Sequence, residues 1–339
     1  MSITAPAYGS DQSGQICGYL FGRGQHAEPI EADAALDWLR QREQHPDEFI
    51  WLHFNLANTA SEKWLKEHTN LAEEFYESLH EGQRSTRIEL ADNALIAVIN
   101  DVVHDFAFDP SDIAALWLSV ERQVVISARR QPLKAIDGLR QAVRSGDPIR
   151  SSVELLTHLL RDQADALVMI VRDAISRVDG IEDNLLAGKL KHKRADLGAL
   201  RRVLVRLRRL LAPEPAALFR LLQRPPAWVG EADTEEVRQA TEEFAVVLND
   251  MASLQERIKL LQEEIAAQVN EGNNQSLYVL TIVTVLALPI NIIAGMLGMN
   301  VGGVPLANDP MGFWIVAGIV AAFTAVAGWL VYRKQRDLD

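Results

Sequence analysis

The stretch SLYVLTIVTVLALPINIIAGMLGMN, residues 276–300, decides the fold of this chain. No charged residue occurs from Gly272 to Asn308, and none occurs between Asp309 and Arg333. A helix needs about 20 consecutive apolar residues to cross the hydrocarbon core of a bilayer. Residues 276–297 and 312–332 are each about that long. They therefore predict two transmembrane helices and an all-helical membrane part at the C-terminal end, after a much longer polar region.

The charges that flank the two predicted spans indicate their orientation. Arg333, Lys334 and Arg336 follow the second span directly, whereas the turn between the spans contains only Asp309. Cationic flanks stay in the cytoplasm. We therefore expect the basic tail 333–339 and the large N-terminal region to be cytoplasmic, and the loop 298–311 to lie on the other side of the membrane.

The negative net charge belongs to the polar region. Residues 272–339 contain three basic and three acidic side chains, so the whole net charge of −12 lies in residues 1–271. An acidic domain ahead of a membrane segment suits a cationic client and argues against a nucleic-acid partner. An acidic surface also simply keeps a protein soluble, and charge alone leaves both interpretations open.

The sequence contains no catalytic constellation. Cys17 is the only cysteine, and no histidine has another three or four residues away, so there is no disulfide and no local zinc motif. A glycine-rich phosphate loop and a nucleophile with a nearby base are also missing. We expect neither an enzyme nor a cofactor, and metal ligands in the cytoplasmic domain stay unassigned.

Residues 1–150 predict an α+β domain with a mixed sheet. Segments rich in branched and aromatic residues read as strands at 15–22, 49–56, 86–100 and 112–128. Breaks at 91–93 and 121–122 indicate hairpins, and helical segments lie between the first strands at 32–44, 61–68 and 72–79. Trp38, Trp51 and Trp117 are expected to be core aromatics.

Residues 151–275 are predicted to be helical. Ser151 with Glu154 is the pattern of a capping box at the start of a helix running toward Leu185, and a second helix covers 194–211. After this helical segment, 151–233, a stalk helix, 234–275, continues into the first span. Its apolar residues alternate at spacings of three and four, which predicts a coiled-coil seam: Phe244, Val247, Met251, Leu254, Ile258, Leu261 and Ile265.

The segment 189–209 is strongly basic, with Asp196 as its one acidic residue. It could bind nucleic acid or anionic lipid. Because no aromatic residues are interleaved, we favour pairing with acidic helices of the same protein, such as residues 231–243.

The seam spacing continues into the first span as a polar stripe. Its members are Asn274, Leu277, Thr281, Thr284, Leu288, Asn291 and Gly295. Polar groups in a bilayer are costly unless they face a bundle interior or water. The stripe therefore reads either as a pore wall or as a helix-packing face. With two spans per chain, a pore requires a homo-oligomer whose first spans surround the axis. Since no carboxylate lies on the stripe, the ion would pass partly hydrated.

The run Leu280-Thr281-Ile282, then Pro289, then Ala294 to Asn300, resembles the CorA superfamily of divalent metal-ion transporters. The signature of that family is Gly-Met-Asn at the end of the first of two C-terminal spans, here Gly298, Met299 and Asn300. The following Val301-Gly302-Gly303-Val304 contains no acid, and this is similar to the ZntB zinc-transport branch rather than to the magnesium branch.

The resemblance implies a homopentamer in the cell inner membrane with an α/β/α cytoplasmic funnel. It implies that Gly298, Met299 and Asn300 form the selectivity mouth at the periplasmic side, and that Zn²⁺ is the transported ion, with uptake linked to the proton gradient. The alternatives are a passive CorA-type channel for magnesium, cobalt or nickel, and a membrane-anchored coiled-coil sensor. We further hypothesise that no membrane-embedded residue carries the coupled proton, since no side chain from Gly272 to Asn308 titrates near neutral pH.

Overall fold

The computed structural model describes residues 9–22, 26–80, 86–91, 93–109, 111–187, 193–299 and 309–336. These residues form two compact units, 1–262 and 263–339. Asn300 and most of the predicted loop 298–311 lie outside the described residues, as do 337–339 of the basic tail. The predicted segment boundaries therefore stay predictions.

The first unit contains a seven-stranded mixed sheet with the strand order β2-β1-β3-β7-β6-β5-β4. Only β3 and β7 run parallel, with Ile50 opposite Val124; the other neighbours are antiparallel. The mixed sheet was predicted, and so were both hairpins. The strands are β1 Gln15–Phe21, β2 Glu28–Pro29, β3 Phe49–Asn55, β4 Arg87–Ala91, β5 Ala94–Val102, β6 Ile113–Val120 and β7 Val124–Arg129.

Helices cover both faces of the sheet, because successive side chains of each buried strand point to opposite sides. One face packs against α1 Ala32–Gln41, α2 Thr59–His68 and α3 Glu73–His80. The other packs against α4 Lys134–Ser145, α5 Ser152–Leu186, α7 Pro213–Gln223 and the start of α8. Trp38, Trp51 and Trp117 are buried in these cores. The α/β/α arrangement confirms the predicted fold class.

Two helices were missed by the sequence analysis. The helix α4 begins directly after Leu133, whose backbone is extended, and ends at Gly146 in the left-handed conformation that favours glycine. The helix predicted at 194–211 ends at Leu211, just before Pro213, and Pro213 then opens the helix α7 at its first position. Proline is suited to that position, since its fixed φ is helical and its missing N–H has no partner there anyway.

A helical bundle follows the sheet, built from α5, α6 Lys193–Leu211 and the first part of α8 Glu231–Leu297. The predicted seam residues from Phe244 to Leu261 are all buried. Arg257 forms ion pairs with Asp179 and Glu182 of α5, and Arg201 of α6 donates to Gln262 Oε1 at 3.3 Å. Much of the seam is therefore filled within one chain.

The favoured pairing of the basic segment with residues 231–243 is not formed within the chain by the described side chains of α6. Five of these side chains have no ion pair with a described acid: Arg201, Arg202, Arg206, Arg208 and Arg209. Hydrogen bonds from Ser111 lower the pKa of Asp109, and the charge of Arg206 adds to this shift. The acidic start of α8 pairs elsewhere, since Glu235 and Glu242 both bind Arg238 of the same helix. Residues three and four apart on a helix are already neighbours, so local pairing prevails.

The second unit contains the C-terminal part of α8 and the helix α9 Gly312–Arg336. Both helices are long and apolar enough to cross a membrane. The ends of α9 carry exposed aromatic residues, Phe313 and Trp314 at one end and Trp329 at the other, and Arg333 lies over the Trp329 ring at 5.6 Å. Aromatic and cationic residues at both ends of a span are typical of the two membrane interfaces.

Candidate ion pathway

The predicted stripe lies on one exposed face of α8. All seven stripe residues, from Asn274 to Gly295, are exposed in the single chain. Ala287 and Pro289 are half-buried, and so are five residues that share the face opposite the stripe: Ile282, Leu286, Ile290, Ile293 and Leu297. The half-buried residues of α9, such as Val316, Val320 and Thr324, also follow helical spacing. The single chain thus covers only part of the apolar surface of this segment, since Leu280, Val285 and Ile292 are exposed like the polar stripe.

The stripe hydroxyls are satisfied within the helix. Thr281 Oγ1 donates to the Leu277 carbonyl at 2.7 Å, and Thr284 Oγ1 donates to the Leu280 carbonyl at 2.9 Å. A hydroxyl has one donor and two acceptor lone pairs. Since the donor is already used, each oxygen presents acceptor capacity outward, as binding of a cation or of its hydration water requires.

Pro289, which the sequence analysis used only for the family resemblance, also changes the hydrogen bonding of α8. It lies inside α8 and has no N–H, so the carbonyl of Val285 lacks its usual partner one turn later. An unpaired carbonyl in a membrane helix needs another partner, such as water or a neighbouring helix. The signal was present in the sequence as a proline within an apolar run.

The helix α8 ends where the predicted mouth begins. Gly298 N donates to the Ala294 carbonyl at 2.9 Å, and Met299 follows as an exposed, non-helical residue. A Cβ atom on Gly298 would lie 3.1 Å from the Ala294 carbonyl oxygen, which is a tight contact, and one on Gly295 would meet no atom beyond the neighbouring backbone of its own helix within 4 Å. Little room is therefore left at Gly298, and Gly295 is open on the stripe.

Asp309 has a local role at the start of α9. Its Oδ1 accepts from Met311 N at 2.8 Å, and its carbonyl accepts from Gly312 N at 2.9 Å. The first N–H groups of a helix have no intrahelical partner, so a side-chain acceptor stabilises them. The one acidic residue of the predicted loop therefore acts in helix capping.

Buried ionisable groups lie in the first unit. Burial raises the pKa of Asp101 to about 7, against backbone hydrogen bonds from Ala135 and Val102. Burial raises the pKa of Glu214 to about 8, against a hydrogen bond from Gln163. The sequence analysis missed both acids. Asp101 lies one residue before the end of the apolar strand β5, and Glu214 stands between two prolines, and neither position signals a buried carboxyl group.

Cys17 and His53 lie in the same unit, but neither has a free donor atom in the form that binds a metal. Burial raises the pKa of the Cys17 thiol to about 11, although Arg140 opposes the shift, so the sulfur keeps its proton at neutral pH. His53 is fully buried, with Nδ1 2.7 Å from Ser127 Oγ and Nε2 accepting from Arg129 Nε at 3.1 Å. Within the described ranges, no three His, Cys, Asp or Glu side chains are grouped as metal ligands.

Comparison with known proteins identifies the family. Residues 46–333 match the family described as CorA-like Mg²⁺ transporter protein, which covers both units and both predicted spans. The chain belongs to this family. It is thus a divalent-cation transporter of the CorA type and not an enzyme.

The similarity to CmaX extends over almost the whole chain. The sequence is 30% identical to the divalent cation transporter CmaX of Pseudomonas aeruginosa, over 97% of this chain and 98% of that one. The solved full-length CmaX structure covers 96% of this chain and is itself 99% covered, with a TM-score of 0.78 and 28% identity. The two-span arrangement with an N-terminal α/β/α domain is therefore shared.

The chain is also similar to a zinc transport protein and to a solved magnesium transporter. It is 24% identical to the zinc transport protein ZntB of Pectobacterium carotovorum, over 84% of this chain and 87% of that one. The solved CorA magnesium transporter of Methanocaldococcus jannaschii has a TM-score of 0.74 at 19% identity, with 93% and 97% of the two chains covered. The identity is higher with CmaX than with this ZntB.

Proposed function

We propose that this protein is a homopentameric inner-membrane zinc transporter, in which the ion passes partly hydrated along α8 and uptake is linked to the proton gradient. Both termini are cytoplasmic in this arrangement, and Gly298, Met299 and Asn300 form the selectivity mouth. The observation that carries the proposal is that the polar residues of the first span share one exposed face of α8, opposite most of its half-buried residues.

A ring of copies converts the stripe into a pore wall. Each stripe residue then becomes a ring of equivalent side chains around the axis, with Asn274, Thr281, Thr284 and Asn291 supplying oxygens. Leu277 and Leu288 become apolar rings that can gate the pore by dewetting. Divalent ions give up their hydration water reluctantly. Because no carboxylate occurs from Gly272 to Met299, neutral oxygens that hold hydration water suit such an ion.

Zinc is supported by the residues after the mouth and by one group of relatives. Val301 to Pro305 contains no acid. Relatives named zinc transport protein align over most of the chain, although the CmaX relative carries only the broader name divalent cation transporter. The zinc assignment therefore rests more on the loop sequence than on overall identity.

A passive CorA-type channel for magnesium, cobalt or nickel is the second candidate. The observation that favours it is the lack of any side chain that titrates near neutral pH from Gly272 to Met299. A proton-linked cycle must then move protons with water or the hydrated ion, or act through the cytoplasmic unit. Membership of a transporter family speaks against a sensor without transport.

Metal flux into liposomes that contain the purified protein tests the proposal. We expect zinc uptake that an imposed pH gradient accelerates and that Asn300→Ala abolishes. Flux that ignores pH and favours magnesium would establish the passive channel instead.

A matched pair of variants tests the stripe itself. Thr284→Leu places a leucine on the stripe. Val283→Leu places a leucine at the adjacent exposed position, which is not part of the stripe. We expect Thr284→Leu to lower flux about tenfold or more and Val283→Leu to leave it nearly unchanged, since only the first removes a ring of oxygens from the pore. Equal flux in the two variants would make the stripe a packing face.

A further inference from the structure

Glu214 of α7 is fully buried, and Gln163 of α5 connects it to the strand β5. Glu214 Oε2 accepts from Gln163 Nε2 at 3.3 Å, and the same nitrogen donates to the Asn100 carbonyl at 2.7 Å. Glu214, Gln163 and Asn100 are all buried. A carboxyl group in a protein core is costly unless hydrogen bonds replace its hydration water. The hydrogen bonds around Glu214 therefore indicate which protonation state the core accepts.

The pair of Glu214 and Gln163 lacks one hydrogen-bond donor. Glu214 Oε1 and Gln163 Oε1 are both buried acceptors without a donor among the described residues. A carboxylate offers acceptors only, whereas a carboxylic acid has one O–H donor. Protonated Glu214 supplies that donor and still accepts from Gln163 Nε2 through its other oxygen. The contacts thus fit the neutral acid, in agreement with the raised pKa of Glu214.

Asp101 of β5 has the contacts of a carboxylate instead. Its Oδ1 accepts from Val102 N at 2.7 Å, and its Oδ2 accepts from Ala135 N at 2.8 Å. Both oxygens therefore have donors without a proton on the acid. The negative charge of Asp101 disfavours a second charge on Glu214. Since the partners of Asp101 belong to β5 and α4, movement of α7 alone would leave these hydrogen bonds in place.

The other charged groups around α7 do not compensate a charge on Glu214. Among the described residues, Asp101 is the ionisable group whose charge acts on Glu214. Lys134 of α4 acts on Asp101, and Arg206 of α6 acts on Asp109. The remaining groups are paired or exposed: Arg87 with Glu89 on β4, Asp162 with His158 on α5, Asp137 with Arg140 on α4, Glu236 of α8 with Arg150, and the exposed Arg208 and Arg209 of α6. An ionised Glu214 would therefore be buried near a like charge.

The helix α7 also supports the start of α8. Leu218 of α7 packs in the same hydrophobic core as Val237 and Ala240 of α8. Residues 224–230 connect the two helices, and Trp228 in this connection donates from Nε1 to the Asn93 carbonyl at 2.9 Å. The helix α8 then continues without interruption to Leu297. A displacement of α7 therefore changes the support of the helix that contains the polar stripe.

We propose that Glu214 is a proton site through which transport responds to cytoplasmic pH, and that α7 is the element that moves. With Glu214 protonated, α7 stays docked on α5 and the sheet. When the proton leaves to solvent, the charged carboxylate requires water, and α7 detaches. The inference rests on the transport function proposed above and assigns its response to pH to the cytoplasmic unit.

The direction of the effect follows from the pKa values of Glu214 in the two states. The pKa is about 8 while α7 is docked, and it returns to the ordinary value of 4.5 when the side chain is in water. The docked state thus keeps a proton that the detached state releases, and low pH favours docking. Between about pH 5 and 8, the ratio of detached to docked α7 should rise about tenfold for each pH unit.

Hydrogen–deuterium exchange of the full-length protein in detergent tests the movement. After correction for the intrinsic exchange rate, we expect the protection of the amides of residues 213–223 to fall about tenfold per unit from about pH 6 to 7.5. The central strand β3 is the internal reference, because it exchanges only when the whole unit unfolds, and it should stay at least about tenfold more protected. Equal protection of α7 and β3 would show that α7 does not detach by itself and would overturn the proposal.

Glu214→Gln tests whether this residue is the group that titrates. The amide of glutamine offers one acceptor and one donor to Gln163, as the protonated acid does, and stays neutral at every pH. We expect the protection of α7 in this variant to change less than about twofold over the same range. The exposed Glu231→Gln is the matched control and should keep the parental fall. The same fall in Glu214→Gln as in the parent would exclude Glu214 as the proton site.

Zinc flux with equal pH on both sides of the liposome membrane tests the link to transport. Equal pH removes the gradient, so only the titration of the protein can change the flux. We expect the parental flux to change at least about threefold between about pH 6 and 7.5. Glu214→Gln should keep the parental value of pH 6 throughout, and Glu231→Gln should follow the parent. A Glu214→Gln profile equal to the parental one would contradict the proposal.

The two measurements separate this inference from the proposed function. Metal flux in the parent together with α7 protection that ignores pH would overturn only the proton site. A parent that transports no metal at any pH would overturn the proposed function and this inference with it.

Discussion

Gly295 and Gly298 lie near the same end of α8, and an added methyl group meets a different environment at each. Gly298→Ala places a Cβ atom 3.1 Å from the Ala294 carbonyl oxygen, whereas Gly295→Ala adds a Cβ atom that meets nothing outside its own helix. We expect Gly298→Ala to lower the thermal midpoint of the protein in detergent. Gly295→Ala should leave the midpoint unchanged or raise it, since alanine in a helix is favoured over glycine by about 0.5–1 kcal/mol. A lower midpoint for Gly295→Ala would indicate that this position packs against another chain.

The buried carboxyl of Glu214 makes the stability of the first unit depend on pH. Its pKa is about 8 in the folded protein, against an ordinary value of 4.5. The folded state therefore keeps a proton that the unfolded chain releases. Stability contributed by this group is present below about pH 4.5 and is lost as pH rises toward 8, by about 1.4 kcal/mol per pH unit.

Glu214→Gln tests that dependence, because the amide is neutral at every pH. We expect the free energy of unfolding, followed by tryptophan fluorescence between about pH 5 and 8, to fall less steeply in this variant than in the parent. Part of the slope should remain, since the pKa of Asp101 is also raised. The exposed Glu231→Gln is the matched control and should keep the parental slope. Equal slopes in all three proteins would show that Glu214 is not buried as a neutral acid.

At the scale of elements, the start of α5 depends on one hydroxyl. Ser151 Oγ accepts from Glu154 N at 2.9 Å and donates to Asp233 Oδ1 of α8 at 2.8 Å. The predicted capping box is only half formed, since Glu154 Oε2 accepts from Arg150 N rather than from Ser151 N. We expect Ser151→Ala to cost about 1 kcal/mol, measured by denaturant unfolding. Ser176→Ala at an exposed position in the middle of α5 is the control. A similar loss in both variants would argue against a capping role.

For the whole molecule, the hypothesis that no membrane-embedded residue carries the coupled proton predicts that transport keeps its pH dependence when Asp309 is neutralised. Asp309→Asn removes the charge but keeps an oxygen that can accept from Met311 N. We therefore expect this variant to fold, to transport, and to retain the pH dependence of transport. If Asp309→Asn transported zinc without responding to a pH gradient that accelerates the parent, the hypothesis would be wrong and Asp309 would carry the proton.

The sequence by itself determined the two spans, the family and most of the elements. Local properties carry this information: a charge-free run of span length, period-two strands, helical spacing and the Gly298-Met299-Asn300 motif. Because each pattern involves residues close together in the chain, no knowledge of distant contacts was needed. The polar stripe was predicted in the same way, and its role in transport stays a proposal.

Only the tertiary structure decided which distant segments meet. It determined that β3 pairs in parallel with β7, that Arg201 of α6 contacts Gln262 of α8, and that Asp101 and Glu214 are buried. Each of these depends on contacts between residues far apart in the chain, which no local pattern in the sequence records. Burial, and with it the pKa of a carboxyl group, is a property of the assembled fold and not of the residue type.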